Sequence, residues 1–174
     1  GVQTCALPIS LQEKVDIVQN AIDFARVMGI ETPKVAILSA VETVTASIPS
    51  TLDAAALCKM ADRGQITGGL LDGPLAFDNA VSPDAVQIKG IVSEVAGQAD
   101  ILAVPDLESG NMIAKQLEYL AGASGSGLVL GARVPIALTS RADGPMARVA
   151  STVLAVLAAH DNRRKNQANA WKQG

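Results

Sequence analysis

Short apolar runs set between longer amphipathic stretches limit what this chain can become. The run "KVAILSAV", residues 34–41 behind Pro33, and "ADILAVPD", residues 99–106, are apolar without polar alternation. That is the pattern of strands covered on both faces. A third run, in "ITGGLLDGPLAF", predicts a strand near 66–72 broken by Gly73 and Pro74, and "GLVLGARVPIALTS" predicts two strands joined at Gly131. Between them lie helical patterns. Val15, Ile17, Val18, Ala21, Ile22, Ala25 and Val27 recur near helical spacing over 11–28, with Gly29 as a stop. Ser50 or Thr51 can cap a helix over "LDAAALCKMADR" that Gly64 closes. Residues 83–94, a segment from about Glu108 to Leu120, and a long Ala-rich segment from about Pro145 to Arg164 complete the helices. Strands alternating with helices, with no Asn-Gly hairpin signal, predict an α/β fold with a mostly parallel sheet and helices on both faces.

Composition narrows the function. The 174 residues and 49% hydrophobic content suit one domain, yet only 2% are aromatic, which leaves no stacking platform for bases. The net charge is −3, and basic residues cluster only at Arg163–Lys165, so no nucleic-acid partner is expected. No apolar run approaches a membrane span and no secretory signal opens the chain, which predicts a cytoplasmic protein. Two cysteines form neither a disulfide framework nor a zinc motif, and Cys58 is expected to be a buried structural thiol. No histidine, cysteine and carboxylate spacing predicts a metal site. His160, the only histidine, is expected to cap the last helix beside Asp161. The first ten residues, "GVQTCALPIS", share no periodicity with the rest of the chain and resemble the translation of a common sequencing adapter. They are set apart from the fold, with residues 11–164 as the folded domain and 165–174 as a polar tail.

Parallel sheets take ligands at the carboxyl ends of their strands. There the sequence places Glu42, Thr43 and Thr45, then Asp72, Asp78 and Asn79, then Asp106, Glu108, Ser109 and Asn111, then Thr139, Ser140, Arg141 and Asp143. Helix capping and turn formation explain most of these. They do not explain Arg141 or Gly110. A turn such as "TSRADGPM" before a helix can receive a phosphate, with Arg141 as a bidentate clamp, Ser140 as a donor to a developing oxyanion, and Asp143 as a base or an orienting group. An alternative is a capped helix with a surface arginine. The glycines of "GASGSGLVLG" match no nucleotide fingerprint.

Three segments, "DGPLAFDNAVS", "IKGIVSEVAGQADILAVPDLESGNMIAKQLEYLAG" and "VLGARVPIALTSRAD", resemble the phosphate acetyl/butyryl transferases in order and spacing. The resemblance runs from about Lys34 to His160. It is nearest to the butyryl branch and to proteins with an enoyl-CoA hydratase-like domain upstream. It implies an enzyme that interconverts acyl-CoA plus phosphate with acyl phosphate plus CoA by direct attack in a ternary complex, with CoA as substrate and no other cofactor. It implies two α/β lobes, similar to isocitrate and isopropylmalate dehydrogenases, of which this chain would hold the second lobe and the closing C-terminal segment. The family's Ser-Arg pair matches Ser140 and Arg141, whereas its downstream Asp falls at Ala147, with Asp143 a near neighbour. Asp78, Asn79, Asp106, Gly110, Asn111 and Lys115 would then line the substrate cleft. Homo-oligomers of the full-length protein are also implied; the apolar "VASTVLAVLAA" helix could supply the contact, and burial in its own core explains it equally well. Two other readings stay open at this point: a non-catalytic acyl-CoA-sensing lobe, and a related NAD-dependent dehydrogenase.

Overall fold

The computed structural model describes residues 10–171; the adapter-like residues 1–9, Cys5 among them, lie outside that range. Helix α1 (Leu11–Val27) leads into strand β1 (Lys34–Leu38), α2 (Pro49–Asp62) and β2 (Leu70–Leu75). Two short helices, α3 (Phe77–Val81) and α4 (Pro83–Lys89), precede β3 (Ile101–Ala103) and α5 (Leu107–Tyr119). Strands β4 (Gly127–Val129) and β5 (Ile136–Leu138) then lead to α6 (Pro145–Trp171).

The α/β expectation holds, with a three-stranded parallel sheet of order β2-β1-β3. The chain steps from β1 to β2 on one side and crosses back to β3 on the other. Right-handed crossovers therefore put α2 and the α3–α4 pair on opposite faces. Both faces of β1 are covered: Val35, Ala36, Ile37 and Leu38 are all at most 5% exposed. On one face, Val35 and Ile37 pack with Val15, Val18 and Ile22 of α1 and with Ala54 and Leu57 of α2. Two polar links fasten α1. Lys14 Nζ lies 2.7 Å from Asp53 Oδ2, and Gln19 exchanges two hydrogen bonds with the backbone of Thr67.

Several boundaries differ from expectation, each for a local reason. Ser10 is not outside the fold: its backbone N–H donates to Glu13 Oε2 at 2.7 Å while Glu13 N–H donates to Ser10 Oγ, a reciprocal cap on α1. Helix α2 starts at Pro49, not behind a Ser50 or Thr51 cap. Thr51 is instead fully buried, its hydroxyl accepting from Thr45 N–H and donating to Ile48 O. Strand β2 starts at Leu70 and runs through Gly73 and Pro74. It is the end strand, where a missing N–H is tolerated, and a Cβ at Gly73 would stand 2.7 Å from Ile37 O. Helix α4 stops at Lys89 because Gly90 takes the left-handed conformation, φ +66°. Helix α6 continues past Arg164, aided by Arg164 and Lys165 pairing with Asp161 one turn back. Residues 165–171 are thus helical, and His160 is exposed inside the helix, not at its C-cap. Cys58 is half-buried; burial first, then Asp72 and Asp62, pushes its thiol up to about 12, so it stays protonated.

The chain divides into two compact units, Gly1–Arg26 with Ile30–Asn111, and Val27–Gly29 with Met112–Gly174. The second holds the β4–β5 pair, which is antiparallel rather than part of the parallel sheet, with α6 packed against it. Ser151 joins them, accepting from Gly127 N–H at 3.0 Å and donating to Ala147 O at 2.8 Å.

Candidate functional site

The carboxyl ends of the three parallel strands belong to the first unit. Residues 39–48, between β1 and α2, contain no helix or strand and are nonetheless held at several points. Ser39 N–H donates to Leu75 O, Ser39 Oγ lies 2.8 Å from Ser50 Oγ, and Thr45 is locked to Thr51. Near the middle, Glu42 Oε2 accepts from Asn79 Nδ2 at 3.2 Å and lies 3.8 Å from Lys89 Nζ, which also pairs with Asp78 Oδ2 at 3.0 Å. The Lys89 hydrogen bond holds the half-exposed Asp78 carboxyl below its ordinary range. Asn79 is fully buried and its Oδ1 has no partner among the described residues. Its amide nitrogen faces Glu42. Lys89 was not expected at the site, and Glu42 was only one of several polar residues expected at a strand end. The nearer of the two Glu42 partners, Asn79, lies 37 positions away along the chain, a pairing that periodicity does not reveal.

At the end of β3, Asp106 Oδ1 accepts from Ser109 N–H at 2.7 Å, which caps α5 and keeps the Asp106 carboxyl below the usual carboxylate range. Gly110 is required by packing, since a Cβ there would stand 2.9 Å from Val104 Cγ2. Asn111 is exposed on α5. A cavity of about 30 Å³ sits where β1 and β3 end, bounded by Leu38, Val104 and Pro105 and by the Lys14–Asp53 pair. It has room for about one water. A wider groove of about 360 Å³ lies at the start of β2, with Asp62, Asp72 and Glu94 in its wall. Those carboxylates and its place at the opposite strand end make it a poor host for an anion.

In the second unit, the turn after β5 closes on itself. Ser140 N–H donates to Asp143 Oδ2 at 2.7 Å, Asp143 N–H donates to Ser140 O, and Ala142 N–H donates to Ser140 Oγ at 3.3 Å. Arg141 is exposed at this turn. Helix α6 follows at Pro145, and Arg148 in its first turn donates Nε–H to Asp143 O at 3.3 Å. Asp143 is therefore an organiser of the turn. Arg148, a second arginine beside the first helical N–H groups, was missed because a cation in a first helical turn opposes the dipole and carries no sequence signature. Lys115 pairs with Glu118 at 2.8 Å, which raises its pKa, and lies 5.6 Å from the Tyr119 ring centre. No group of three or more metal-ligating side chains occurs among the described residues, and no described helix is long and apolar enough to cross a membrane.

Residues 5–156 match the family model described as Phosphate acetyl/butaryl transferase. A phosphate acetyltransferase of Rhizobium meliloti is 65% identical over 153 residues, 88% of this chain and 48% of that protein. A phosphate butyryltransferase of Clostridium acetobutylicum is 49% identical over 149 residues, 86% of this chain and 50% of that protein. A branched-chain phosphotransacylase from Enterococcus faecalis V583 superposes with a TM-score of 0.79 at 34% identity, covering 90% of this chain and 56% of that one. The chain spans about half the length of the curated relatives it matches. Its match over most of its own length nevertheless identifies it: this chain belongs to the phosphate acetyl/butyryl transferase family.

Proposed function

We propose that the protein carrying this chain interconverts acyl-CoA plus phosphate with acyl phosphate plus CoA, with an acetyl or short-chain acyl group. The observation that supports this most is the self-closed turn of Ser140–Asp143 ahead of α6, in a chain 65% identical to a phosphate acetyltransferase. The turn holds its own backbone through Asp143 and leaves Arg141 exposed, beside a helix start with free N–H groups. A guanidinium there neutralises a phosphoryl group, and Ser140 Oγ–H supports the oxyanion as the tetrahedral centre forms. Catalysis then comes from positioning and charge stabilisation, with CoA and phosphate as substrates and no further cofactor. Asp78, Asn79, Asp106, Gly110, Asn111 and Lys115 are proposed as substrate-binding residues, as the family resemblance implies.

The fold is proposed to be of the isocitrate and isopropylmalate dehydrogenase type, with this chain supplying one lobe and the closing segment. A cytoplasmic, homo-oligomeric full-length protein fits the proposed substrates. The deciding experiment is phosphate-dependent release of free thiol from acetyl-CoA and butyryl-CoA by the full-length protein. Release with saturable phosphate dependence supports the reading, whereas saturable CoA binding without release refutes it.

A further inference from the structure

Strand β2 ends the parallel sheet, so one of its sides has no neighbouring strand. Leu70 N–H donates to Pro33 O, toward β1. Successive residues of a strand turn their backbone groups to opposite sides, so those of Leu71 point to the open edge. Such an edge is a template for a further strand, and folds ordinarily blunt it. Here the blunting covers only part of β2. Gly73 N–H donates to Asp72 Oδ1 at 2.8 Å, Gly73 O accepts from Cys58 Sγ at 3.7 Å, and Pro74 has no N–H to offer. Leu71 has no such cover: neither its N–H nor its C=O enters a loop or side-chain hydrogen bond among the described residues.

The groove of about 360 Å³ lies along this uncovered stretch, between the end of α2 and the Val92–Val95 segment beyond α4. Asp62, Asp72 and Glu94 are in its wall and none of its lining side chains is basic. Asp62 is paired with Lys59 at 2.6 Å, whereas Asp72 and Glu94 enter no ion pair among the described residues. Arg63, the other basic residue at that end of α2, does not line the groove. Val92 is fully exposed at its rim. Leu71 packs toward the α1–α2 core, so Leu70 and Asp72 face the other way.

We propose that the open edge of β2 is a docking site for an extended basic segment of a partner polypeptide, which adds as a strand beside Leu71. Strand addition supplies backbone hydrogen bonds at the edge, and the flanking side chains supply the selectivity. The bound segment pairs with Leu71 N–H and C=O. Its own side chains alternate between the two faces, so Lys or Arg at every second position shares the face of Asp72 and meets the unpaired carboxylates of Asp72 and Glu94. The aliphatic stems of those side chains lie along Val92. An acidic segment finds no counter-charge there. The site lies wholly within the first unit, at the amino end of its strand, and stands independently of the transferase reading.

The test is fluorescence anisotropy of a labelled Lys-Val-Lys-Val-Lys-Val peptide titrated with the full-length protein at low salt. Two control peptides accompany it: the Glu-Val counterpart, and a copy N-methylated at every backbone amide, which keeps the charges and loses the donors. Saturable binding of the Lys-Val peptide is expected, with amide exchange at Leu71 slowed in the complex. Asp72→Asn with Glu94→Gln should weaken binding roughly tenfold while the melting temperature stays near wild type. The N-methylated copy should bind at least about tenfold more weakly. Binding that survives N-methylation or the double substitution unchanged is charge attraction elsewhere and would overturn the assignment. So would an absence of saturable binding, equal binding of the Glu-Val peptide, or binding that leaves the Leu71 amide unprotected. Protection of Leu71 without peptide, rising with protein concentration, would overturn it too, by giving the edge to a second copy of the chain.

Discussion

The two units of this chain solve the burial problem very differently. In the first, β1 is covered on both faces and Ile22, Val35, Ala36 and Leu57 are at most 1% exposed. In the second, Ser151, Ala158 and Asp161 are the buried residues among those described, and two of the three are polar. Its strands carry Ile136 at 42% and Leu138 at 58% exposed, and α6 exposes Met146, Val149, Val153 and Val156 at three- and four-residue spacing. Apolar stripes of that period belong against another surface, and an isolated two-stranded sheet is marginal in water. The first unit therefore carries its own fold, and the second is a set of elements with their apolar faces uncovered. The turn bearing Ser140 and Arg141 is built on the second.

That contrast can be broken by substitution. The largest effect belongs to chemistry in the second unit: Arg141→Ala should lower phosphate-dependent thiol release by the full-length protein by roughly 10²–10³-fold with little change in melting temperature, and an active variant would remove the turn from the mechanism. Next is the core of the first unit, where Leu57→Ala should cost about 2–5 kcal/mol in denaturant unfolding. Val153→Ala on the exposed stripe should cost well under about 1 kcal/mol in this chain, and equal costs would erase the distinction. The exposed stripe is expected to make this chain self-associate in sedimentation, and Val149→Glu with Val153→Glu should reduce that association. An effect smaller than that of Leu57→Ala is expected at the start of α1, where Ser10→Ala should lose about 1 kcal/mol by removing the reciprocal cap. The smallest is the Asp78–Lys89 pair. Because Lys89 lowers the folded pKa of Asp78 from 3.8, the pair contributes fully above that pH and its contribution fades as pH falls through the depressed folded value. Lys89→Met should flatten that slope between about pH 4 and 2 in acid unfolding curves.

Much of the first unit was legible because its elements are local patterns. Val15, Val18 and Ile22 mark one helix face, and "KVAIL" marks a strand covered on both sides. The departures came where a distant contact decided the outcome. Strand β2 passes through Gly73 because the glycine accommodates Ile37, and Thr51 is buried because the loop after β1 folds back on it. Ser140, Arg141 and Asp143 were legible as a polar cluster ahead of a helix, and the hydrogen bond from Ser140 N–H to Asp143 ties that cluster together. The pairing of Glu42 with Lys89 stayed hidden, since only the crossing of the sheet from β2 to β3 brings α4 beside the end of β1.

Native-state amide hydrogen exchange on this chain, followed residue by residue, tests the division most directly. Protection at Val35–Leu38 is expected to approach that of global unfolding, while amides of Gly127–Val129 and Ile136–Leu138 exchange orders of magnitude faster. Equal protection in both sets would contradict the account, because it would mean that the exposed hairpin and α6 are held as firmly as the core they lack.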